Sequence, residues 1–262
     1  MFFRARPPQV VAPAAPRAPL RVVLPDGGSV DVHCVENRRV RGLRLIVTER
    51  GARLTMPPRT SERRARAFVE EHAAWLAGQL RHTFGDVAPL RIGASAMLPL
   101  RGSDVPLSWR EARFLRVEQD DAGIVATLPP AIDERRVRKA FADFYLGQAR
   151  ADVGRWLPKY LPSLPRPPRD VSIRPLTSLW GSLAPDGRMR LDLALVLAPP
   201  AAFEYVLVHE LCHLLQANHS PAFWAEVERR CPGWEAQRDL LRTRGRPIKA
   251  RLRAICDAAP AA

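Results

Sequence analysis

Apolar and polar residues alternate along the first part of the chain, which is the pattern of half-buried strands. Two such segments, 21–25 and 29–35, are separated by the turn sequence Asp-Gly-Gly at 26–28, and they predict a hairpin. Two further strands are predicted around Gly51. The pattern therefore predicts a β-rich beginning.

A helical period follows the pair of prolines that ends this strand region. Thr60 or Ser61 is a suitable N-cap, and we expect one helix from there to about Leu80. Short strands separated by glycine and aspartate turns are predicted again over 84–129. A long amphipathic helix is predicted over 133–160.

The rest of the chain returns to strands before it becomes helical. A strand is predicted from Asp170, and a hairpin is predicted around 185–187. Residues 203–215 are apolar nearly all round, which indicates a helix buried in the core. A second helix follows this one, and a final short helix is predicted over 235–242.

This order of elements predicts an α+β fold, in which a small β-rich N-terminal part precedes a sheet, a buried helix and a second helix. We expect residues 1–19 to form a disordered leader and residues 20–130 to form the β-rich part with one helix. Residues 131–243 are expected to form the second domain, and residues 244–262 to form a basic tail with little structure.

Composition narrows the class of protein. With 47% hydrophobic and 26% charged residues, the chain is typical of globular proteins, and no apolar run approaches the roughly 20 residues that cross a bilayer, so no membrane partner is predicted. The net charge of +14 could attract a polyanion. The basic residues are scattered and almost all arginine, which is also typical of a GC-rich coding sequence, so no firm nucleic-acid site is predicted.

The cysteines and the N-terminus indicate the cellular compartment in which the protein is expected. Cys34, Cys212, Cys231 and Cys256 form no closely spaced pair, so reduced thiols and a cytoplasmic location are predicted. The first residues are rich in proline and lack the continuous apolar core of a secretory signal. Cys212 lies inside the motif described next, and we interpret it as a small buried residue rather than a metal ligand. The oligomeric state is not predicted.

The strongest chemical signal lies in the predicted buried helix. His209 and His213 are four residues apart, so they differ by about 40° around a helix axis and project from one face. Glu210 lies beside His209 and could act as a general base. The order H-E-x-x-H is the zinc-binding and catalytic pattern of the zincin metallopeptidases.

A third histidine ligand requires the helix to end. His219 follows His213 by six residues, and on a continuous helix it would project roughly 240° away. Asn218 can take the left-handed conformation that ends a helix, and Ser220 and Pro221 suit the N-cap and first position of a new one. We therefore predict a corner between two helices that returns His219 to the other two histidines.

Other ligands and other metals stay open at this stage. Glu226 or Glu228 could supply the third ligand instead of His219. Nitrogen ligands accept cobalt, nickel, manganese or iron as well as zinc. Because three imidazoles with one open position suit a catalytic zinc site, we predict that His209, His213 and His219 bind Zn²⁺.

Two segments resemble a known family. The run YVLVHELCHLLQANHSPAFW at 205–224, together with TSLWGSLAPDGRMRLDLALVLAP at 177–199, is similar to the YgjP-like metallopeptidase domain family, which is related to the SprT-like metallopeptidases. The likeness is strongest over 177–224 and extends loosely over about 28–243.

This resemblance assigns a fold and a set of roles. It implies a zincin-like metallopeptidase domain over residues 131–243. It also implies that His209, His213 and His219 hold the metal and that Glu210 is the catalytic residue.

One motif departs from the family pattern. The family usually has Arg-Trp-Gly-Ser-Cys, where this chain has Leu179-Trp180-Gly181-Ser182-Leu183. In zincins a strand of the sheet runs along the cleft and can pair with an extended peptide, so Trp180 and Ser182 are predicted to lie near the metal and contact substrate. The absence of this arginine is expected to affect contacts with the substrate, whereas the predicted metal ligands are all present.

The preferred hypothesis is a metal-dependent hydrolase, namely a zinc metallopeptidase that cleaves a peptide or protein with metal-activated water and Glu210 as base. One alternative is hydrolysis of a nucleoside triphosphate at the same site. The arginine excess favours that alternative, but no phosphate-binding glycine loop is present in the sequence. A second alternative is a non-catalytic binding module that carries a metal.

Overall fold

The structure is a computed structural model that describes residues 17–257. These residues divide into two compact units at Gly85. This boundary differs from the one expected near residue 130, because the strands within 97–128 belong to the second unit. The predicted leader lies outside the described residues as far as residue 16.

The first unit is a four-stranded sheet with two helices. Its elements are β1 (Leu20–Val23), β2 (Ser29–Glu36), β3 (Arg44–Thr48), β4 (Gly51–Met56), α1 (Glu62–Glu71) and α2 (Ala73–Phe84). The strand order is β1-β2-β4-β3, in which β2 and β4 run parallel and the other neighbours run antiparallel. The hairpin predicted around 26–28 and the two strands predicted around Gly51 are confirmed. Leu54, Val69 and Leu76 are fully buried in the core of this unit.

The single helix predicted from Thr60 or Ser61 to Leu80 is wrong, because two helices meet at His72. His72 leaves helical geometry with φ −101° and ψ 13°. Its ring Nδ1 lies 2.8 Å from the carbonyl oxygen of Phe68, and such a bond between a side chain and the backbone competes with helix continuation. Ser61 is the N-cap of α1.

The second unit contains two sheets, four α-helices and two short 3-10 helices (Leu161–Ser163 and Leu193–Leu197) among its described residues. Its elements are β5 (Met97–Leu100), β6 (Ser103–Glu111), β7 (Arg116–Asp120), β8 (Gly123–Leu128), α3 (Glu134–Tyr160), β9 (Asp170–Arg174), β10 (Gly181–Leu183), β11 (Arg188–Asp192), α4 (Pro200–Cys212), α5 (Pro221–Arg230) and α6 (Trp234–Cys256). The sheet orders are β5-β6-β8-β7 and β10-β11-β9, so β10 is an edge strand. The predicted α+β class and the hairpin at 185–187 are confirmed.

Helix α4 is the buried helix that the sequence predicts. Phe203, Leu207 and Leu211 expose at most 1% of their surface. Helix α3 packs beside α4, where the ring of Trp156 meets that of Phe203 edge-on at 5.3 Å. Because most residues of α4 are buried, this helix forms the centre of the second unit.

The C-terminal prediction is wrong. A short helix over 235–242 and a weakly structured tail from 244 were expected, but α6 continues through Pro247 to Cys256. Tertiary packing outweighs the proline, because Leu252 and Ile255 are buried in the same core as α4. The last part of the predicted tail, 258–262, lies outside the described residues.

A buried guanidinium group satisfies the end of α6. The side chain of Arg138 on α3 is 5% exposed and pairs with Glu134 at 2.6 Å. It donates to the carbonyl oxygens of Ala254 at 2.9 Å, Ile255 at 3.0 Å and Leu90 at 3.1 Å. A cation at a helix C-terminus is favourable, and the last carbonyls of a helix otherwise lack partners.

We expect Arg138→Met to lower the free energy of unfolding by about 3 kcal/mol, because buried carbonyl groups lose a charged donor. Lys139→Met is the matched control. Lys139 is the next residue along α3, and its ion pair with Asp143 is largely exposed, so its loss should cost less than about 1 kcal/mol. Urea unfolding followed by circular dichroism measures both values, and equal losses would contradict the capping role.

Candidate metal centre

Helix α4 presents the first two histidines. Pro200 occupies its first turn, where a missing N–H costs nothing, and His213 is its C-cap. The imidazole rings of His209 and His213 lie 5.1 Å apart, as the four-residue spacing requires. The predicted placement of both rings on one face is confirmed by this geometry.

The corner after α4 forms, but not through Asn218. The positive φ angles among described non-glycine residues are at Arg59 and Arg101, so the predicted left-handed Asn218 is wrong. The helix ends instead through tightened backbone bonds, because the N–H groups of His213, Leu214 and Leu215 each donate to the carbonyl oxygen three residues earlier, at 3.2, 3.0 and 3.0 Å. Ser220 then caps α5, as predicted.

The corner brings His219 back to the other histidines. The Nε2 atoms of His219 and His209 lie 3.0 Å apart, and the ligand atoms of all three histidines lie within 4.8 Å of one another. Two nitrogens bound to one tetrahedral zinc ion at 2.0–2.1 Å would be roughly 3.3 Å apart. The three imidazoles are therefore close enough together to hold one metal ion.

The rival ligands lie elsewhere. Among the described residues, the cluster that could hold a metal ion contains the three histidines and no carboxylate. Glu226 forms ion pairs with Arg229 and Arg230 on its own helix. Cys212 is fully buried and lies outside this cluster, as expected for a small core residue.

The ring nitrogens are in a state that suits a metal. Nδ1 of His213 lies 3.1 Å from the carbonyl oxygen of Gln216, so Nδ1 carries the proton and Nε2 keeps its lone pair. Burial is the main cause that lowers the pKa of His209 to about 3, and the neighbouring imidazoles of His213 and His219 contribute to the same shift. Burial also lowers the pKa of His213. Neutral imidazole is the form that binds a metal.

Aromatic rings surround this cluster. The ring of Phe223 on α5 lies between 4.6 and 4.9 Å from each of the three imidazoles. The ring of Trp224 stacks on His219 at 5.6 Å and on Trp234 at 4.2 Å. Two aromatic residues in the first turn of α5, Phe223 and Trp224, therefore hold the imidazole rings in position.

Glu210 is buried between α4 and the edge strand β10, with 5% of its surface exposed. The backbone N–H of Leu183 donates to its carboxylate. A Cβ on Gly181 would lie 2.6 Å from Oε1 of Glu210, so only glycine allows this approach. Burial raises the pKa of Glu210 to about 8, and the Leu183 bond opposes that rise.

The two residues predicted to contact substrate line different cavities, and Glu210 borders both. Ser182 lines a cavity of about 500 Å³ together with the three histidines. Trp180 lines a second cavity of about 360 Å³. Both cavities are also lined by Gly181 and Glu210. The structure thus brings both residues beside the histidine cluster, and their contact with substrate stays a prediction.

Sequence analysis missed one residue of this region, Lys249 on α6. Its Nζ donates to the carbonyl oxygens of Leu176 at 3.0 Å and Leu179 at 2.9 Å, and pairs with the buried Asp192 at 2.5 Å. It also lies 4.6 Å from the centre of the Trp180 ring. The sequence feature that could have drawn attention to this residue is that it is a lysine, because the chain has few lysines among its 41 basic residues.

Burial and the partner charge act oppositely on Asp192. Burial raises the pKa of its carboxyl group, and the Lys249 ammonium group lowers it. The backbone N–H of Asp192 also donates to the carbonyl of Trp180 at 2.8 Å. The pair therefore fixes the segment that leads into β10 and so supports the position of Gly181 against Glu210.

Two imidazoles and a carboxylate on one buried helix, with a third imidazole returned by a corner, define the zincin class of metallopeptidases. The family model described as YgjP-like, metallopeptidase domain, matches residues 41–244, and the chain therefore belongs to that family. The resemblance seen in the motifs is confirmed.

Among solved structures, the metallopeptidase zymogen of Pyrococcus abyssi abylysin is similar to this chain. The two are 29% identical over 39% of this chain and 93% of the other, with a TM-score of 0.28. No curated protein matches the chain.

We expect Gly181→Ala to displace the Glu210 carboxylate, because the new methyl group would overlap it. A displacement of about 1 Å should lower peptide cleavage roughly a hundredfold while the bound metal per chain stays unchanged. Gly147→Ala on α3 is the control, since nothing lies within 4 Å of its new methyl group. Cleavage by Gly181→Ala at the wild-type rate would contradict the close packing of Gly181 and Glu210.

Proposed function

We propose that this member of the metallopeptidase family is a zinc-dependent peptidase, in which His209, His213 and His219 hold the metal and Glu210 is the general base. The observation that carries the proposal is the 3.0 Å approach of two Nε2 atoms at a helix corner. The buried carboxylate of Glu210 on the same helix supports it.

The chemistry divides between the metal and the protein. Zinc held by His209, His213 and His219 would supply Lewis acidity, which would acidify a water molecule and polarise a carbonyl group. Glu210 accepts a proton from the attacking water on a carboxylate oxygen and returns it to the leaving nitrogen. The N–H of Leu183 orients this carboxylate, and the absence of a side chain on Gly181 keeps the strand close to it.

The shape around Glu210 supports an extended substrate. The cavities of about 500 and 360 Å³ share Leu179, Gly181, His209 and Glu210. A chain that passes Glu210 could therefore place one side chain on each side of the cleaved bond. Both volumes fall within the range of ordinary ligand sites, and neither is a deep closed pocket for one small molecule.

Two further observations concern the location and the partners of the protein. Within residues 17–257, no helix is both long enough and apolar enough to cross a membrane. A peptide or protein substrate accords with the metallopeptidase family. The cytoplasmic location and the nucleotide alternative stay hypotheses.

We expect His219→Ala to lower zinc affinity more than about a hundredfold. The reason is that replacing a residue that only orients a metal ligand already lowers metal affinity about 10–100-fold, and His219 is proposed to be a ligand itself. His33→Ala is the control, since His33 is exposed on β2 in the first unit. Elemental analysis and competition with a chelator measure the affinity. Undiminished zinc binding by His219→Ala would exclude this ligand set.

We expect Glu210→Gln to keep the zinc and the fold but to lower kcat by at least about 10²–10⁴-fold, because the amide cannot accept the proton. Cleavage of a peptide mixture by the zinc-loaded protein, followed by mass spectrometry, measures the loss. Nucleoside triphosphates are assayed in parallel. If the wild type released pyrophosphate and cleaved no peptide, the peptidase proposal would be wrong.

A further inference from the structure

The smaller cavity beside Glu210 is apolar. It lies between α4, α6 and the segment before β10, and its volume is about 360 Å³. The apolar side chains that line it are Leu179, Trp180, Tyr205, Val206 and Leu241. Because the cavity also borders Glu210, any group inside it would lie next to the reacting bond of the proposed peptidase.

Leu179 is exposed at the point where the two cavities meet. It exposes 55% of its surface, although leucine is usually buried. It lines both cavities, together with Gly181 and Glu210. An apolar side chain held in water at such a position gains stability when a partner covers it.

The wall of this cavity is held in place. Lys249 holds the carbonyl of Leu179 at 2.9 Å and lies under the Trp180 ring. A Cβ on Gly245 would lie 2.7 Å from the Trp180 ring, so glycine at this position lets the ring pack directly on α6. A wall fixed before binding reduces the entropic cost of ordering it on a ligand.

Charge restricts what the cavity accepts. Arg238 and Arg242 on α6 also line it. The guanidinium of Arg238 lies 4.8 Å from the centre of the Trp234 ring, which holds this charge beside the cavity. A cationic side chain placed there would meet like charges as well as an apolar wall, and such repulsion is a common source of specificity.

We propose that this cavity is a specificity subsite that binds a bulky apolar side chain of the peptide substrate, next to the cleaved bond, and rejects lysine and arginine. The proposal rests on the proposed peptidase function and adds the class of substrate to it. Leu179 and Trp180 form its wall, and Leu241 contributes from α6.

The test is a cleavage profile. Zinc-loaded wild type is incubated with a mixture of peptides derived from a whole proteome, and the cleaved bonds are read by mass spectrometry. We expect leucine, phenylalanine or methionine to be enriched at one position beside the cleaved bond, and lysine and arginine to be depleted there.

Variants of Leu179 connect this profile to the cavity. Leu179→Asp should lower kcat/KM for the best apolar peptide roughly 10- to 100-fold, within the range that one apolar contact supplies, and should weaken the apolar preference. Phe114→Asp is the control. Phe114 is 69% exposed in the same unit and does not line the cavity, so its replacement should leave the profile unchanged.

Gly245→Ala tests the wall from the other side. The new methyl group should push the Trp180 ring into the cavity, so kcat/KM should fall more for peptides with large apolar side chains than for those with alanine. Alanine is a better helix former than glycine, so α6 should persist. Gly147→Ala on α3, which meets no neighbour within 4 Å, should not change this ratio.

The outcomes separate the two proposals. Peptide cleavage with no positional preference, or with a preference for basic residues, would overturn the subsite and leave the peptidase intact. An unchanged apolar preference in both Leu179→Asp and Gly245→Ala would also overturn it. No peptide cleavage by the zinc-loaded wild type would overturn the peptidase, and the subsite with it.

Discussion

The site depends on the end of one helix. If α4 continued past His213, His219 would project roughly 240° away from the other histidines. The chain instead closes α4 with tightened backbone bonds and restarts at Ser220, so the Nε2 atoms of His209 and His219 come within 3.0 Å. Phe223, which follows directly in α5, contacts all three rings. The end of α4 and the packing of the three imidazole rings therefore depend on the same short segment of the chain.

The polar groups at this corner are arranged for a positive charge. Burial disfavours the protonated form of His209 and the ionised form of Glu210. Nδ1 of His209 is buried and has no hydrogen-bond partner among the described residues. A bound divalent cation would favour neutral imidazoles as ligands and an ionised carboxylate nearby. A bound metal would thus offset the cost of burying these groups, and it would couple the stability of the corner to metal binding.

The sequence predicts those features whose causes lie within a few residues. The caps at Ser61 and Ser220, the hairpin turns and the histidine spacing all depend on local geometry. The wrong predictions concern features that depend on contacts between residues far apart in the sequence. The extent of α6 depends on contacts with Arg138, more than 100 positions away, as shown by the bond to Ala254 with a separation of 116. Local propensity could not anticipate that Pro247 would lie inside a helix.

The same distance effect explains how α6 contributes to the site. Lys249 reaches the carbonyl of Leu179 across a separation of 70 residues and fixes the segment that carries Trp180 and Gly181. Gly181 in turn packs on Glu210. At the position where the family usually has arginine, this chain has Leu179, which lines both cavities and is not a member of the histidine cluster. The departure from the family motif therefore changes the lining of the two cavities, whereas the residues that would hold the metal are unchanged.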